Sequence, residues 1–134
     1  MKTNPFENHP IPYQLLIADD HAALRNTLAL WIGNLFPQIL ILEAENGLEA
    51  IRICQKNCVD LMLIDLKMPD IDGFQVTQRV REICPHTQIY LMSMIEGEAY
   101  QQQAKLAGAN GFFSKNTMDT DLPLTLARLI CEAV

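Results

Sequence analysis

Five polar side chains that could carry out phosphoryl or metal chemistry close four short apolar runs of this sequence. Asp19 and Asp20 follow the first run, Asp65 closes a second, and Ser93 and Lys115 end two later ones. An apolar run of this length, bounded by turn residues, is typical of a strand that is buried on both faces. Such strands belong to parallel sheets, and ligands bind beyond their carboxyl ends. We therefore expect the five side chains to meet at one edge of a sheet.

Three carboxylates at one sheet edge repel one another unless a cation offsets their charge. A hard divalent cation with oxygen ligands does this, and Mg²⁺ suits a site that also handles phosphate. Lys115 adds a further positive charge, and the hydroxyl of Ser93 can donate to an anionic oxygen. Aspartate is a known nucleophile that forms an aspartyl phosphate. The set therefore predicts a Mg²⁺-dependent site at which Asp65 receives a phosphoryl group.

Each of these residues taken singly also has a simpler interpretation. Asp19 or Asp20 could cap the following helix, Ser93 could be a turn residue, and Lys115 could be a solvated surface charge. Asp65 is harder to explain in this way, because a lone buried carboxylate is costly. Compatible groups at four separate strand ends are what favour a single site.

Apolar periodicity predicts five strands that alternate with five helices. The strands are expected at residues 14–18, 39–42, 61–65, 88–92 and 111–114. The inward faces of the first two helices are predicted to carry Leu24, Leu28, Trp31, Ile32, Leu35, Leu48, Ile51, Cys54 and Cys58. Asp72 is a predicted N-cap of the third helix, and Gly108 a predicted stop of the fourth. This alternation predicts an α/β, flavodoxin-like, doubly wound (βα)5 fold whose parallel sheet has the order 2-1-3-4-5.

Length and charge narrow the class of protein. The 134 residues favour one domain over 13–134, preceded by a flexible lead-in, 1–12, that contains three prolines. A formal net charge of −6 argues against direct contact with nucleic acid. No apolar run approaches the length of a membrane span, and the first residues lack a signal core, so we expect a cytoplasmic protein without membrane contact. The four cysteines are expected to be small buried thiols in a reducing compartment, without zinc.

Four segments of the chain resemble the motifs of response regulator receiver domains of two-component signalling. They are IADDHAALR, LIDLKMPDIDGF, YLMSM and GANGFFSK, in the order and spacing of that family. The resemblance covers about residues 13–132, and the DDH and GANGFFSK segments are most similar to the NarL/FixJ, or LuxR-type, subfamily. It implies a CheY-like receiver fold and a phosphoprotein that catalyses its own phosphorylation and dephosphorylation without being a turnover enzyme.

The resemblance also implies a role for each site residue. Asp65 would be the phosphoacceptor, and a histidine kinase or phosphotransfer protein would supply the phosphoryl group. Asp19 and Asp20 would bind Mg²⁺ together with Asp65, and the backbone carbonyl of Lys67 would be a further ligand.

Ser93 and Lys115 would contact the phosphoryl oxygens, and Phe112 stands at the aromatic switch position. Ser93 and Phe112 would move together after phosphorylation and alter the surface of the fourth helix, fifth strand and fifth helix. Activation-linked homodimers are also implied. Receivers of this subfamily usually continue into a helix-turn-helix DNA-binding domain that regulates transcription, and this sequence contains none.

Two positions depart from the common receiver pattern. Met94 stands where a small residue is usual, and Asn116 where many receivers have proline.

Three other classes of protein fit the sequence less well. A haloacid dehalogenase-type phosphatase usually needs an acidic residue where Lys67 stands. A flavodoxin binds the phosphate of a flavin, which the Asp19–Asp20 pair would repel, and a P-loop enzyme needs a motif that is absent here. A receiver fold that acts as a protein-binding module without phosphorylation remains the alternative.

Overall fold

The chain alternates strand and helix five times in a computed structural model that describes residues 12–132. The strands are β1 Gln14–Ala18, β2 Leu40–Ala44, β3 Leu61–Asp65, β4 Gln88–Ser93 and β5 Gly111–Ser114. The helices are α1 Ala22–Leu35, α2 Gly47–Lys56, α3 Gly73–Ile83, α4 Glu98–Ala107 and α5 Met118–Glu132. The predicted bounds of β1, β3 and β5 are confirmed. Strand β2 begins one residue later and ends two residues later than predicted, and β4 ends one residue later. The predicted lead-in lies outside the described residues, apart from the exposed Pro12.

The five strands form one parallel sheet in the order β2-β1-β3-β4-β5, which confirms the predicted topology. The register pairs Asp65 with Met92, the residue before Ser93, and pairs Ser93 with Ser114, the residue before Lys115. The ends of β3, β4 and β5 are therefore level with one another. This alignment brings residues from distant parts of the chain to one edge.

Two apolar cores lie on opposite faces of the sheet. Successive side chains of a strand point to opposite faces, so Leu16 and Ile64 join the core beneath α2, α3 and α4, whereas Ile17 and Leu63 join the core beneath α1 and α5. The central strands β1 and β3 are buried along their whole length. Burial on both faces explains their continuous apolar runs and holds the strand ends rigidly.

The predicted inward stripe of α1 is only partly correct. Ile32 is buried and Leu28 and Trp31 are half-buried, but Leu24 and Leu35 are exposed. Leu24 lines an open cleft beside the strand ends, and Leu35 is the last residue of the helix. Both ends of the stripe therefore face solvent, because helical periodicity shows which side chains share a face but not how far the neighbouring sheet extends beneath them.

Predicted helix ends are confirmed at two positions. Asp72 caps α3: its carboxylate accepts from the Gln75 amide at 2.8 Å, and the Gln75 side chain accepts from the Asp72 amide at 3.0 Å. Gly108 ends α4 with a φ of +103°, a left-handed conformation that glycine adopts at little cost. Both signals are local, which is why the sequence sufficed to find them.

Arg81 anchors the end of α4 to the end of α3. Its guanidinium donates to the Gly108 carbonyl at 2.9 and 3.0 Å, to the Thr87 carbonyl at 2.7 Å and to Asn110 Oδ1 at 2.8 Å. The start of α4 is different, since its N-cap Gly97 has a φ of +139° and offers no side chain for capping. Helix α4 is therefore fixed more firmly at its carboxyl end than at its amino end.

The expectation of four small buried thiols is wrong. Cys58 and Cys84 form a disulfide with their Cα atoms 5.7 Å apart, Cys54 is buried and free, and Cys131 is free but exposed. Helix α2 ends before Cys58, which lies in the exposed loop that leads to β3 rather than on the predicted inward face; Leu48, at the start of α2, is also exposed. The two paired cysteines are 26 residues apart, so only the packing of α2 against α3 brings them together.

The backbone at Gly73 passes too close to β3 and β4 for any larger residue. A β-carbon there would lie 2.6 Å from Leu91 Cδ2 and 2.8 Å from the carbonyl oxygen of Asp65. We expect Gly73→Ala to lower the free energy of unfolding by about 2 kcal/mol, because rigid atoms must shift. Gly33→Ala in α1 is the control: its β-carbon meets nothing closer than 3.6 Å, and alanine is the better helix former. Urea denaturation of both variants checks this, and equal stabilities would contradict it.

Candidate functional site

All five residues predicted to form a site lie at the carboxyl edge of the sheet. Asp65 ends β3 and Ser93 ends β4, while Asp19 and Lys115 each follow a strand by one residue. Asp19 is 1% exposed, Asp65 6% and Ser93 4%, whereas Asp20 is exposed. Buried strands with level ends place these groups, so their positions are set by the sheet rather than by flexible loops.

Lys115 joins the two buried carboxylates. Its ammonium Nζ lies 3.1 Å from Asp19 Oδ2 and 3.1 Å from Asp65 Oδ1. The backbone amide of Lys115 donates to the Ser93 carbonyl at 2.8 Å, which continues the β4–β5 pairing by one residue and fixes the base of the side chain. The cation offsets part of the repulsion that the sequence predicted between the carboxylates.

Burial and the neighbouring charges shift the ionisation of both partners. Burial raises the pKa of Asp65, Lys115 lowers it in part, and the charges of Asp19 and Asp20 raise it again, so that the net shift is upward. Burial by itself would lower the pKa of Lys115, but the charges and hydrogen bonds of Asp65 and Asp19 outweigh it and raise that pKa. Asp65 is therefore more basic than an exposed aspartate, and Lys115 stays protonated beside it.

A cluster of ligand atoms lies next to this ion pair. Oxygens of Asp19, Asp20 and Asp65 and a ring nitrogen of His21 lie within 4.8 Å of one another. His21 Nδ1 is 3.3 Å from Asp19 Oδ1 and 3.4 Å from Asp20 Oδ1, and the His21 amide donates to Asp19 Oδ1 at 2.9 Å. Three carboxylates that converge on one point are a donor set that fits a hard divalent cation.

The sequence prediction did not include His21 among the ligand atoms, although it noted the histidine within the DDH segment. The histidine side chain is 71% exposed and lies at the outer side of the carboxylates of Asp19, Asp20 and Asp65, which we call the acidic cluster. Lys67, whose backbone carbonyl was a predicted metal ligand, is exposed two residues beyond β3. Its role stays a prediction.

Ser93 and Phe112 lie on the same face of the sheet. Phe112 pairs with Leu91, which is two residues before Ser93 on β4 and therefore points to the same side. Phe112 is half-buried against the core beneath α4 and lines a cavity of about 360 Å³ with residues of that helix. The Ser93 hydroxyl accepts from the Ile95 amide at 3.0 Å. The two predicted switch residues are thus diagonal neighbours beneath α4.

Asp70 is a supporting residue that the sequence prediction missed. Its carboxylate accepts from the amides of Gly47 at 3.1 Å and Leu48 at 2.8 Å, at the start of α2. The loop after Asp65 is thereby tied to the helix N-terminus, where a negative charge is favourable. No local pattern could have revealed this, because the partners are 22 and 23 residues away.

The hydrogen bonds of Asp70 should make the free energy of unfolding depend on pH in the acid range. Burial by itself would raise its pKa, but the hydrogen bonds from the amides of Leu48, Ile71 and Gly47 outweigh this and lower it. A folded-state pKa below the unfolded one contributes stability above the unfolded pKa of about 3.9, and that stability is lost as pH falls through the folded pKa. We expect Asp70→Ala to lower the free energy of unfolding at pH 7 by about 1 kcal/mol or less, because the carboxylate is well exposed to solvent. Below pH ~4 the same substitution should lower it by less. Urea denaturation at both pH values checks this, with the exposed Glu82→Ala as control; a loss that does not depend on pH would contradict it.

An apolar cleft of about 290 Å³, which we call the α1 cleft, opens beside the ion pair. Its lining includes Leu24 and Trp31 of α1 and Met94, together with Asp19 and Lys115 of the ion pair. Leu24 is 47% exposed and Met94 63% exposed. Apolar side chains that remain exposed next to a polar site are typical of surfaces that contact another molecule.

The whole unit, from β1 to α5, matches a known family. The family model described as "Response regulator receiver domain" matches residues 15–127. The chain belongs to this family. The receiver domain of a two-component response regulator, expected from the four sequence segments, is thereby confirmed.

Curated relatives of this receiver domain include transcriptional regulators. The chain is 32% identical over 104 residues to Fimbriae Z protein of Salmonella typhimurium, covering 78% of this chain and 50% of that protein. It is 31% identical over 112 residues to the uncharacterized transcriptional regulatory protein YhcZ of Bacillus subtilis, covering 84% and 52%. The oxygen regulatory protein NreC of Staphylococcus epidermidis is 29% identical over 114 residues, with 84% and 52% covered. The chain spans about half the length of these relatives.

Solved structures agree on the fold. The signal receiver domain of the putative response regulator NarL from Mycobacterium tuberculosis is 27% identical, with a TM-score of 0.78 over 90% of this chain and 98% of that one. A LuxR-family response regulator from Aurantimonas has a TM-score of 0.82 at 24% identity, over 91% and 87%. The match to the NarL receiver domain supports the NarL/FixJ subfamily, whereas the Aurantimonas structure shows the fold alone. None of the helices within residues 12–132 of this receiver domain has both the length and the apolar character of a membrane span.

Proposed function

We propose that this receiver domain accepts a phosphoryl group on Asp65 in a Mg²⁺-dependent reaction. The observation that carries the proposal is the buried Asp65 carboxylate, which lies 3.1 Å from the Lys115 ammonium and within the acidic cluster. The donor would be a phosphohistidine of a histidine kinase or a phosphotransfer protein. Asp19, Asp20 and Asp65, with the backbone carbonyl of Lys67, would hold the Mg²⁺.

The chemistry follows from the positions of these groups. A carboxylate oxygen of Asp65 attacks the phosphorus, the bond from phosphorus to the donor histidine nitrogen breaks, and the electron pair leaves with that nitrogen. Lys115 is already in place to stabilise charge on the transferring oxygens, and Ser93 can donate to one of them. When bound, Mg²⁺ would supply the additional positive charge that three phosphoryl oxygens require.

Phosphorylation would be read out through Ser93 and Phe112. The new acceptor oxygens would attract the Ser93 hydroxyl away from the Ile95 amide, and the Phe112 ring, diagonal to it on the same face, would fill the space. Since Arg81 fixes the carboxyl end of α4, we expect the amino end near Gly97 to shift most. The altered surface is that of α4, β5 and α5.

The α1 cleft would receive the phosphodonor protein. It is mostly apolar, Asp19 and Lys115 line it, and Leu24 and Met94 in its lining are exposed. In a longer protein of the NarL/FixJ type, the receiver would control a DNA-binding domain and hence transcription, with homodimers as the active form. The acidic receiver itself would not contact nucleic acid, and the protein would act in the cytoplasm.

Met94 is expected to control how long the phosphoryl group persists. Its exposed side chain lines the α1 cleft together with Lys115, so it can shield an acyl phosphate on Asp65 from water. We expect Met94→Ala to speed dephosphorylation several-fold, measured as the decay of the phosphorylated mass after the donor is removed. Leu106→Ala, at an exposed position on α4, is the control. An unchanged lifetime in Met94→Ala would contradict this role.

Intact mass spectrometry after incubation with acetyl phosphate tests the proposed function. We expect one added phosphoryl group when Mg²⁺ is present and none when a chelator is in excess. Mg²⁺ binding is measured separately by titration calorimetry. If Mg²⁺ binds but no adduct forms with acetyl phosphate or with a phosphorylated histidine donor, the proposal is wrong, and the fold would act as a binding module without phosphorylation.

A further inference from the structure

The receiver carries a cysteine pair far from the acidic cluster. Cys58 lies in the loop before β3, and Cys84 caps the end of α3. Asp65 stands at the opposite end of β3, and the loop after it leads into α3, which returns toward the pair. The disulfide therefore closes a covalent ring around one unit: strand β3, the phosphoacceptor, the loop with Asp70, and α3.

The two cysteines differ in exposure. Cys58 is exposed, whereas Cys84 is 1% exposed. A cleft of about 200 Å³ opens on the pair and is lined also by Asp60 and His86. An outside reagent can therefore reach Cys58 first, with Cys84 in position to resolve the product.

The pair has hydrogen-bond acceptors for the reduced state as well. The carbonyl of Cys54 lies 3.6 Å from Cys84 Sγ and 3.9 Å from Cys58 Sγ, within reach of a thiol donor. The carbonyl of Ile83 lies 3.9 Å from Cys58 Sγ. Each thiol would therefore have a backbone acceptor nearby once the disulfide is reduced.

The other two cysteines are poorly placed to react in the same way. Cys54 is buried, and burial raises the pKa of its thiol, which disfavours the reactive thiolate. Cys131 is exposed near the end of α5 and has no cysteine partner within the described residues. The chemistry is thus confined to one pair.

We propose that Cys58 and Cys84 form a reversible thiol-oxidation site whose disulfide locks the β3–α3 unit that bears Asp65. The oxidant is a small-molecule disulfide such as oxidised glutathione. The Cys58 thiolate attacks one sulfur of that disulfide and releases one thiolate, which takes up the proton that Cys58 lost. The Cys84 thiolate then attacks the Cys58 sulfur and releases the second thiol. Two protein thiols and one disulfide thus give one protein disulfide and two small thiols.

The effect of the disulfide is on stability rather than on phosphoryl chemistry. The ring limits the unfolded chain over a separation of 26 residues, so the oxidised form should melt roughly 10 °C higher than the reduced one. Because the pair lies at the far end of β3 from Asp65, both forms should accept a phosphoryl group from acetyl phosphate at similar rates.

The test equilibrates the full chain with mixtures of reduced and oxidised glutathione, quenches with acid, and alkylates the denatured protein with a maleimide. In the reduced form the maleimide should label all four cysteines. In the oxidised form it should label only Cys54 and Cys131, and peptide mass spectrometry should map the disulfide to Cys58 and Cys84. Cys58→Ser should abolish the interconversion, and the control Cys131→Ser should retain it. A pair that stays reduced in every mixture, a disulfide that resists dithiothreitol in the folded protein, or one mapped to Cys54 would overturn the proposal.

Melting curves of the two forms complete the test. Equal melting temperatures would overturn the proposed locking of the β3–α3 unit. Failure of Asp65 to accept a phosphoryl group in either form would instead count against the proposed function, because the thiol measurement does not depend on phosphorylation.

Discussion

Asp65→Asn is expected to abolish the phosphoryl adduct. The amide is nearly the same size as the carboxylate, so the buried position at the end of β3 stays filled, but its oxygen is not a nucleophile. The change also removes one charge from the acidic cluster, which should weaken Mg²⁺ binding. Intact mass after incubation with acetyl phosphate and saturating Mg²⁺ measures the result.

The matched control is Asp72→Asn. Asp72 caps α3 seven residues along the chain, is exposed, and asparagine is an equally good N-cap, so the fold should be unaffected. This variant should gain the adduct as the unmodified chain does. An adduct on Asp65→Asn that peptide mapping places on Asp19 or Asp20 would show that the acidic cluster, rather than Asp65 alone, is the acceptor.

Lys115→Met is expected to slow phosphorylation from acetyl phosphate by about 10²- to 10³-fold, the usual effect of removing one positioned electrostatic group. Methionine has a similar length but no charge. The substitution leaves the buried carboxylates of Asp19 and Asp65 facing each other without the cation that now lies 3.1 Å from both. Since Lys115 also lowers the pKa of Asp65 in part, that pKa should rise further. The initial rate of adduct formation at saturating Mg²⁺ measures the first effect.

The control for this substitution is Lys105→Met, on the exposed face of α4 and away from the acidic cluster. It should phosphorylate at the rate of the unmodified chain. Circular dichroism establishes that Lys115→Met is folded, so that a slow rate reports on chemistry. A rate close to that of the unmodified chain in folded Lys115→Met would show that Lys115 is a structural counter-ion only.

The local patterns of the sequence identified most of the fold correctly. Each central strand is an apolar run that ends abruptly on a polar residue, because burial on both faces leaves no room for polar side chains before the edge. Caps such as Asp72 and the stop at Gly108 depend on residues within one helical turn. The apolar periodicity and the capping and turn residues were therefore sufficient to predict these elements.

The sequence predictions were wrong or incomplete where burial or pairing depends on a distant part of the chain. The stripe of α1 has the correct period, yet Leu24 is exposed, since the sheet offers nothing to cover it beside the α1 cleft. The pairing of Cys58 with Cys84 and the bonds from Asp70 to the start of α2 join segments that are more than 20 residues apart. Neither contact leaves a periodic trace in the sequence.

The same division applies to the candidate site. The sequence by itself determined which chemical groups close the strands, because the identity of Asp65, Ser93 and Lys115 and their positions at strand ends are local facts. Only the tertiary structure decided how these groups meet: that one ammonium bridges Asp19 and Asp65, that His21 joins the acidic cluster, and that Ser93 and Phe112 share a face. Distances across a sheet depend on strand order, register and twist, which the whole chain sets when it packs.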